Sequence, residues 1–148
     1  TTAVDLVDWK LKWAKEELEV DEAFQPGQIN SKDFDFAIEC SGNKKAMEQA
    51  FECIKDKGVA VIAGNLEPNE KFSIDPFGLI KGKQLFGTWG GETILDVDIP
   101  AYVQEYLKGR LKLDKLITAQ YEFDDINQGL KNLEDGKLIR GIVNFQAT

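Results

Sequence analysis

A chain of 148 residues with 26 acidic and 18 basic side chains carries a net charge of −8, which opposes partners that present a phosphate backbone. Hydrophobic residues reach 43%, enough for a packed core and too many for wholesale disorder, while no apolar run attains the ~18 residues of a membrane span. There are 0 histidines, so an imidazole base, a Ser-His-Asp triad and a histidine-containing zinc site are excluded from these residues. Cys40 and Cys53 are too few for a four-cysteine zinc site or a disulfide scaffold. They fit a reducing cytoplasm and read as buried thiols, with no imidazole to activate either.

Thr1 to Asp5 reads as a short strand ending in an acid. Asp8 to about Leu18 reads as a helix, with Trp9 and Trp13 four apart and Leu11, Ala14 and Leu18 at helical spacing. Glu16, Glu17, Glu19, Asp21 and Glu22 form a solvated acidic face. Val20 to Phe24 is expected as a second short strand, followed by a Gln25-Pro26-Gly27-Gln28 turn. Asp35 to Cys40 is an apolar strand closed by Ser41-Gly42-Asn43. That triplet opens a helix expected over Lys44 to Lys57, with Ala46, Met47, Ala50, Phe51 and Ile54 on its core face and Gly58 as its cap.

Val59 to Ala63 is a continuous apolar run, as in a strand buried on both faces, and it ends at Gly64. A helical turn at Pro76 to Ile80 precedes a strand from Gln84 to Trp89, ended by Gly90-Gly91. A further helix is expected from about Ile99 to Lys108, with Pro100 in its first turn. The next, capped by Asp124, carries Ile126, Leu130 and Leu133 and stops before Gly136. Leu138 to Phe145 is the final strand. Apolar strands alternating with helices define an α/β protein with a mainly parallel sheet.

In such sheets ligands bind beyond the carboxyl ends of the strands. Three successive strands here end at small or glycine-containing corners: Cys40-Ser41-Gly42, Ala63-Gly64-Asn65 and Trp89-Gly90-Gly91. Such corners let a ligand approach the backbone, although each alone is also what an ordinary turn requires. Asp5 stands where a dinucleotide-binding fold puts a ribose-binding carboxylate, and an acid there also suits a helix cap. Lys44 and Lys45 lie in the first turn of a helix, where the dipole disfavours a cation by roughly 0.3–1 kcal/mol. A bound anion would remove that conflict, and exposure to solvent is the simpler account. Arg140, within an apolar strand, needs either an anionic partner or an exit to solvent.

Taken in order, AVDLVDWKLKWAKEELEV, DFAIECSGN, GVAVIAGN, GTWGG, KLDKLIT, FDDINQGLKNLEDGK and IRGIVNF form a recognisable series from Val4 to Phe145. The series resembles the C-terminal half of the medium-chain dehydrogenase/reductase family, and the zinc-dependent alcohol dehydrogenases in particular. The resemblance implies a Rossmann-like doubly wound parallel sheet. Residues 1–148 would form a partial NAD(P)-binding domain, with a C-terminal return segment from about 120 to 148.

It also implies residue roles. Asp5 and Lys10 match residues that contact the adenosine ribose. Cys40, Ser41, Gly42 and Asn43 match the lining of the cofactor's central portion and nicotinamide ribose. Ala63, Gly64 and Asn65 match backbone that holds the nicotinamide carboxamide, Thr88 and Trp89 match another nicotinamide corner, and Arg140 matches an arginine that pairs with the pyrophosphate. The Asp5 carboxylate would repel a 2′-phosphate, which implies NAD over NADP.

The G-x-G-x-x-G fingerprint, the first strand and the zinc-binding catalytic half of the family have no counterpart in these residues. The expectation is therefore a cofactor-binding part of an alcohol dehydrogenase-like oxidoreductase, with hydride passing from a small-molecule alcohol to NAD and giving an aldehyde in the full-length protein. Zinc is expected only in the missing N-terminal half, and no catalytic or metal-ligating residue is assigned here. The isolated chain is expected to be inactive and to bind NAD weakly, because the phosphate-cradling turn is missing. In the strand order 3-2-1-4-5-6, loss of strand 1 leaves two unpaired edges, so the chain is expected to belong to a larger folded enzyme or to rearrange its strands. A homo-oligomer is implied through the strand near Leu85 to Thr88, with neither nucleic acid nor membrane as partner. A catalytically silent nucleotide-binding module, or a piece retained only for assembly, is the alternative.

Overall fold

All strand pairs among residues 1–29 and 33–145, which the computed structural model describes, are parallel. Residues 146–148, the end of the expected return segment, lie outside the described residues. The chain divides into two units, Thr1–Gln25 with Leu95 onward, and Pro26–Ile94.

The first unit begins with β1 (Thr2–Val4), α1 (Asp8–Glu17) and β2 (Glu22–Phe24), a small βαβ in which β1 pairs with β2. Leu11 and Ala14 supply the buried face of α1, as their spacing predicts.

The second unit holds β3 (Phe34–Glu39), α2 (Lys44–Cys53), β4 (Ile54–Ile62), α3 (Pro76–Ile80) and β5 (Gln84–Gly87). Its sheet runs in the order β3-β4-β5. α2 starts on Asn43, whose side-chain oxygen accepts the Lys45 and Ala46 amides, and its Met47, Ala50 and Phe51 are buried. Phe51, Ile54 and Ala60 form the core, with Phe34, Ala37, Ile74 and Leu85 packed around it. Burying each large side chain of this group contributes about 1.5–3 kcal/mol.

Two expectations fail in this unit. α2 ends at Cys53 rather than Lys57, and Gly58 is buried inside β4 instead of capping the helix. The cause is tertiary. Lys83 Nζ, from the approach to β5, donates to the carbonyls of Phe51 (3.1 Å) and Glu52 (3.0 Å), and Ile54 turns into the core opposite Phe34. Secondly, β4 is not buried on both faces: Ala60 is buried, but Val59, Val61 and Ile62 are half-buried. α2 covers one face of the sheet, and on the other Phe36 and Ile38 of β3 are exposed.

The first unit resumes with α4 (Leu95–Leu107), α5 (Leu113–Leu116), β6 (Ile117–Glu122), a 3-10 turn (Phe123–Asp125), α6 (Ile126–Glu134) and β7 (Arg140–Asn144). β6, which the sequence reading did not separate from its surroundings, pairs with β7. α4 begins at Leu95, ahead of the expected Ile99, so Pro100 lies inside the helix and not in its first turn. Asp96 and Asp98 favour this earlier start by facing the positive end of the helix. Asp124 is not the cap of α6: it lies in the 3-10 turn, and the N-cap residue is Asp125, which makes no side-chain capping bond. Lys115 to Glu17 (2.6 Å), Lys112 to Glu19 (2.8 Å) and Trp9 Nε1 to the Gly136 carbonyl (3.0 Å) tie the two chain segments of this unit together. The acidic face is therefore partly ion-paired. Glu19 is held below the usual carboxylate range by the Lys112 ammonium.

Strand pairing has not rearranged to close the expected gap. Among the described residues β1 pairs only with β2, and β3 only with β4, so each keeps a free edge.

Candidate functional site

The parallel order β3-β4-β5 brings the carboxyl ends of three strands to one edge of the second unit. The three corners singled out in the sequence are therefore neighbours. At the first, Ser41, Gly42 and Asn43 follow β3, and Gly42 has φ +71°, a left-handed conformation that favours glycine. At the second, the Ala63 and Gly64 amides both donate to the carbonyl of Glu39, at 2.8 and 3.1 Å. These two corners touch: a Cβ on Gly64 would fall on the Gly42 amide and come within 2.7 Å of Gly42 Cα. A Cβ on Gly42 would fall on the Asn65 carbonyl oxygen. At the third, the Thr88 amide continues the ladder to the Ile62 carbonyl (3.0 Å), and Thr88 Oγ1 accepts the Gly91 amide (2.8 Å). Trp89 projects into solvent at 85% exposure.

Glu39, which the sequence reading passed over, is the residue that organises this edge. It is 4% exposed, and its Oε1 accepts the Ser41 amide (2.6 Å), the Ser41 hydroxyl (2.6 Å) and the Gly42 amide (2.9 Å). Oε2 is buried with no hydrogen-bond partner. The signal was present in DFAIEC: an acid inside an apolar strand, two residues before a Ser-Gly turn, has few places to satisfy its oxygens.

The thiols divide differently from expectation. Cys40 is exposed, because strand alternation turns it away from the side that buries Glu39. Cys53 is half-buried, and burial pushes its thiol up from the usual value. Lys44 and Lys45 are exposed to solvent.

The remaining candidates lie in the first unit. Asp5 follows β1, is half-buried, and its Oδ1 accepts the Val7 amide at 2.9 Å. It is not the cap of α1, since that position is Val7. Lys10 is half-buried in α1 with Nζ 6.0 Å from the Trp9 ring centre. Arg140 opens β7, exits to solvent and donates Nη1 to the Ile139 carbonyl at 2.8 Å. Arg110 is bound by Glu105, whereas Arg140 has no ion pair among the described residues.

Donor chemistry separates two cofactors. No group of three or more Cys, Asp or Glu among the described residues is arranged to hold a metal ion, so these residues do not fit zinc. The small-residue corners at the strand ends of the second unit suit the approach of a dinucleotide. In the first unit Arg140 gives Nη1 to the Ile139 carbonyl and has no ion pair among the described residues.

Parallel strands with helical crossovers define an α/β protein of the Rossmann-like class. Residues 1–108 match the family described as zinc-binding dehydrogenase. The chain belongs to that family. It is 36% identical over 113 residues to alcohol dehydrogenase 1 of Trifolium repens, a match that covers 76% of this chain and 30% of that protein. The chain thus spans less than a third of the length of that relative. Benzyl alcohol dehydrogenase from Acinetobacter calcoaceticus superposes with TM-score 0.90 at 23% identity, covering 98% of this chain and 42% of that one. A short chain alcohol dehydrogenase from E. coli, solved in complex with NADH, superposes with TM-score 0.77 at 18% identity, covering 97% of this chain and 44% of that one.

Proposed function

We propose that this chain supplies the cofactor-binding portion of an NAD-dependent alcohol dehydrogenase. Residues 1–148 act as a partial dinucleotide-binding domain, with a return segment from about 120 onward. The observation that carries the reading is the edge where the carboxyl ends of the parallel strands β3, β4 and β5 lie side by side, in a chain of the zinc-binding dehydrogenase family. Family membership and the NADH complex of a structural neighbour support a nicotinamide dinucleotide as the ligand.

Cys40, Ser41, Gly42, Asn43, Ala63, Gly64, Asn65, Thr88 and Trp89 would hold the nicotinamide end. Asp5 and Lys10 would hold the adenosine ribose, and Arg140 the pyrophosphate. Asp5 favours NAD over NADP because its carboxylate opposes a 2′-phosphate. When bound, NAD supplies the hydride acceptor for an alcohol that leaves as an aldehyde. The catalytic zinc and its ligands are assigned to protein outside these residues. The free thiols of Cys40 and Cys53 support a place in a reducing cytoplasm. The exposed Phe86 on edge strand β5 supports assembly into a homo-oligomer.

Cofactor titration of the naturally produced protein, followed by tryptophan fluorescence, tests the reading. Saturable quenching by NAD, at least tenfold tighter than by NADP and diminished in Trp89→Phe, is the expected result. Absence of saturable binding, or a preference for NADP, overturns it.

A further inference from the structure

Glu39 is the buried charged side chain among the described residues, and nothing in the proposed cofactor site uses it. Its bonds run outward in two directions. Through Oε1 it takes both amides of the Ser41-Gly42 turn and the Ser41 hydroxyl. Through its main-chain carbonyl it takes the amides of Ala63 and Gly64. Ser41 Oγ in turn accepts the Asn43 amide at 3.2 Å, and Asn43 Oδ1 accepts the Lys45 amide at 2.9 Å at the start of α2. One residue thereby joins the end of β3, the end of β4 and the first turn of α2.

Oε2 makes no bond and faces Gly64, where a Cβ would approach it to 2.7 Å. Burying a carboxylate with one unpartnered oxygen is unfavourable in itself. An apolar residue would fill the same space without that cost, so packing alone does not account for a glutamate here. What the carboxylate adds is Oε1, a single acceptor that fixes two consecutive amides of the turn.

We propose that Glu39 is the positioning residue of the nicotinamide corner. Its Oε1 sets the Ser41 and Gly42 backbone against Gly64, and it acts through those residues without touching the ligand. This inference rests on the cofactor reading above. Gly64 leaves space for the Glu39 side chain, and the turn held by Glu39 in turn presses on Gly64, so the two corners are built as one piece.

Two substitutions separate the acceptor from the volume. Glu39→Gln keeps an oxygen for the turn and puts its amide nitrogen where the carboxylate has no partner to lose. Glu39→Met keeps the length and apolar stem and removes both oxygens. Amide hydrogen exchange is measured without cofactor, and NAD affinity is measured on the same naturally produced protein. In Glu39→Met we expect exchange at Ser41 and Gly42 to rise about tenfold or more, while Ala60 in the same sheet stays within about threefold. NAD affinity should fall about tenfold or more in Glu39→Met, and both readouts should stay within about threefold of wild type in Glu39→Gln. Unchanged exchange at the turn in Glu39→Met, or NAD binding as tight as wild type, overturns the proposal. If Glu39→Met does not fold, Glu39→Gln decides alone: retained protection and affinity support the role, and loss of both overturns it. A wild-type protein that fails to bind NAD sinks the cofactor reading itself, a result visible before any variant is made.

Discussion

Asp5 and Glu39 each stand at the carboxyl end of a parallel strand and each accept the amide two residues on, yet one is half-open and the other closed. Asp5 spends Oδ1 on the Val7 amide and stays half-buried. Glu39 is buried, its Oε1 carrying three donors and its Oε2 none. The same local turn chemistry thus serves two ends. A carboxylate with a solvated oxygen is available to a ligand hydroxyl, whereas one sealed under its own turn can act only by shaping that turn. A strand-terminal acid is therefore not a binding residue by position; its exposure decides.

The sharpest break of this comparison is Gly64→Ala. Its Cβ would meet the Gly42 backbone, which cannot swing aside, and also Oε2 of the buried Glu39 side chain. We expect a loss of about 3 kcal/mol or more, read as a lowered midpoint in chemical denaturation. A loss under ~0.5 kcal/mol would mean the corner is not closed. Asp5→Asn should do the reverse. It should leave stability within about 1 kcal/mol, but lower NAD affinity about 10- to 100-fold, the worth of charge-assisted hydrogen bonds. Equal effects on stability and affinity would erase the distinction between the open acid and the closed one.

Asn43→Ala tests the far end of the Glu39 network. Removing the cap of α2 should cost about 1 kcal/mol in thermal or chemical denaturation, with Ser41 still held by Glu39. The smallest effect concerns the thiols, where exposed Cys40 should be alkylated before half-buried Cys53 at neutral pH. Burial raises the Cys53 pKa, so less thiolate forms there at a given pH, and its lag should narrow as the solution is made alkaline. The sign for stability follows: the contribution is present below the unfolded thiol pKa and fades as pH rises through the folded one. Peptide mapping after a timed alkylation reads both sites. Faster labelling of Cys53 would contradict the burial pattern.

Much of the strand and helix order was legible from apolar runs and punctuation. Pro76 announces α3 and the Ser41-Gly42-Asn43 triplet announces α2, because caps and turn residues act over a few residues. The end of α2 was not legible. Its last carbonyls are taken by Lys83, far along the chain, and no local pattern reports that bond. β6 is different: ITAQYE alternates Ile117, Ala119 and Tyr121 with Thr118, Gln120 and Glu122, a legible strand period that the sequence reading passed over, and its pairing with β7 confirms it. Pro100 suggested a helix start, but Leu95 to Ile99 supplied a further turn before it.

The sequence by itself determined the α/β class, the three small-residue corners and, through its ordered motifs, the family. These depend on local periodicity, turn chemistry and residue order, which the chain carries without folding. Tertiary structure alone decided that β3, β4 and β5 lie side by side, that the Gly42 and Gly64 backbones meet, and that Glu39 is sealed beneath them. Those outcomes require parallel pairing between segments separated by a helix and a loop. Whether a carboxylate is open or closed depends on what packs over it, and that is set by contacts between distant residues.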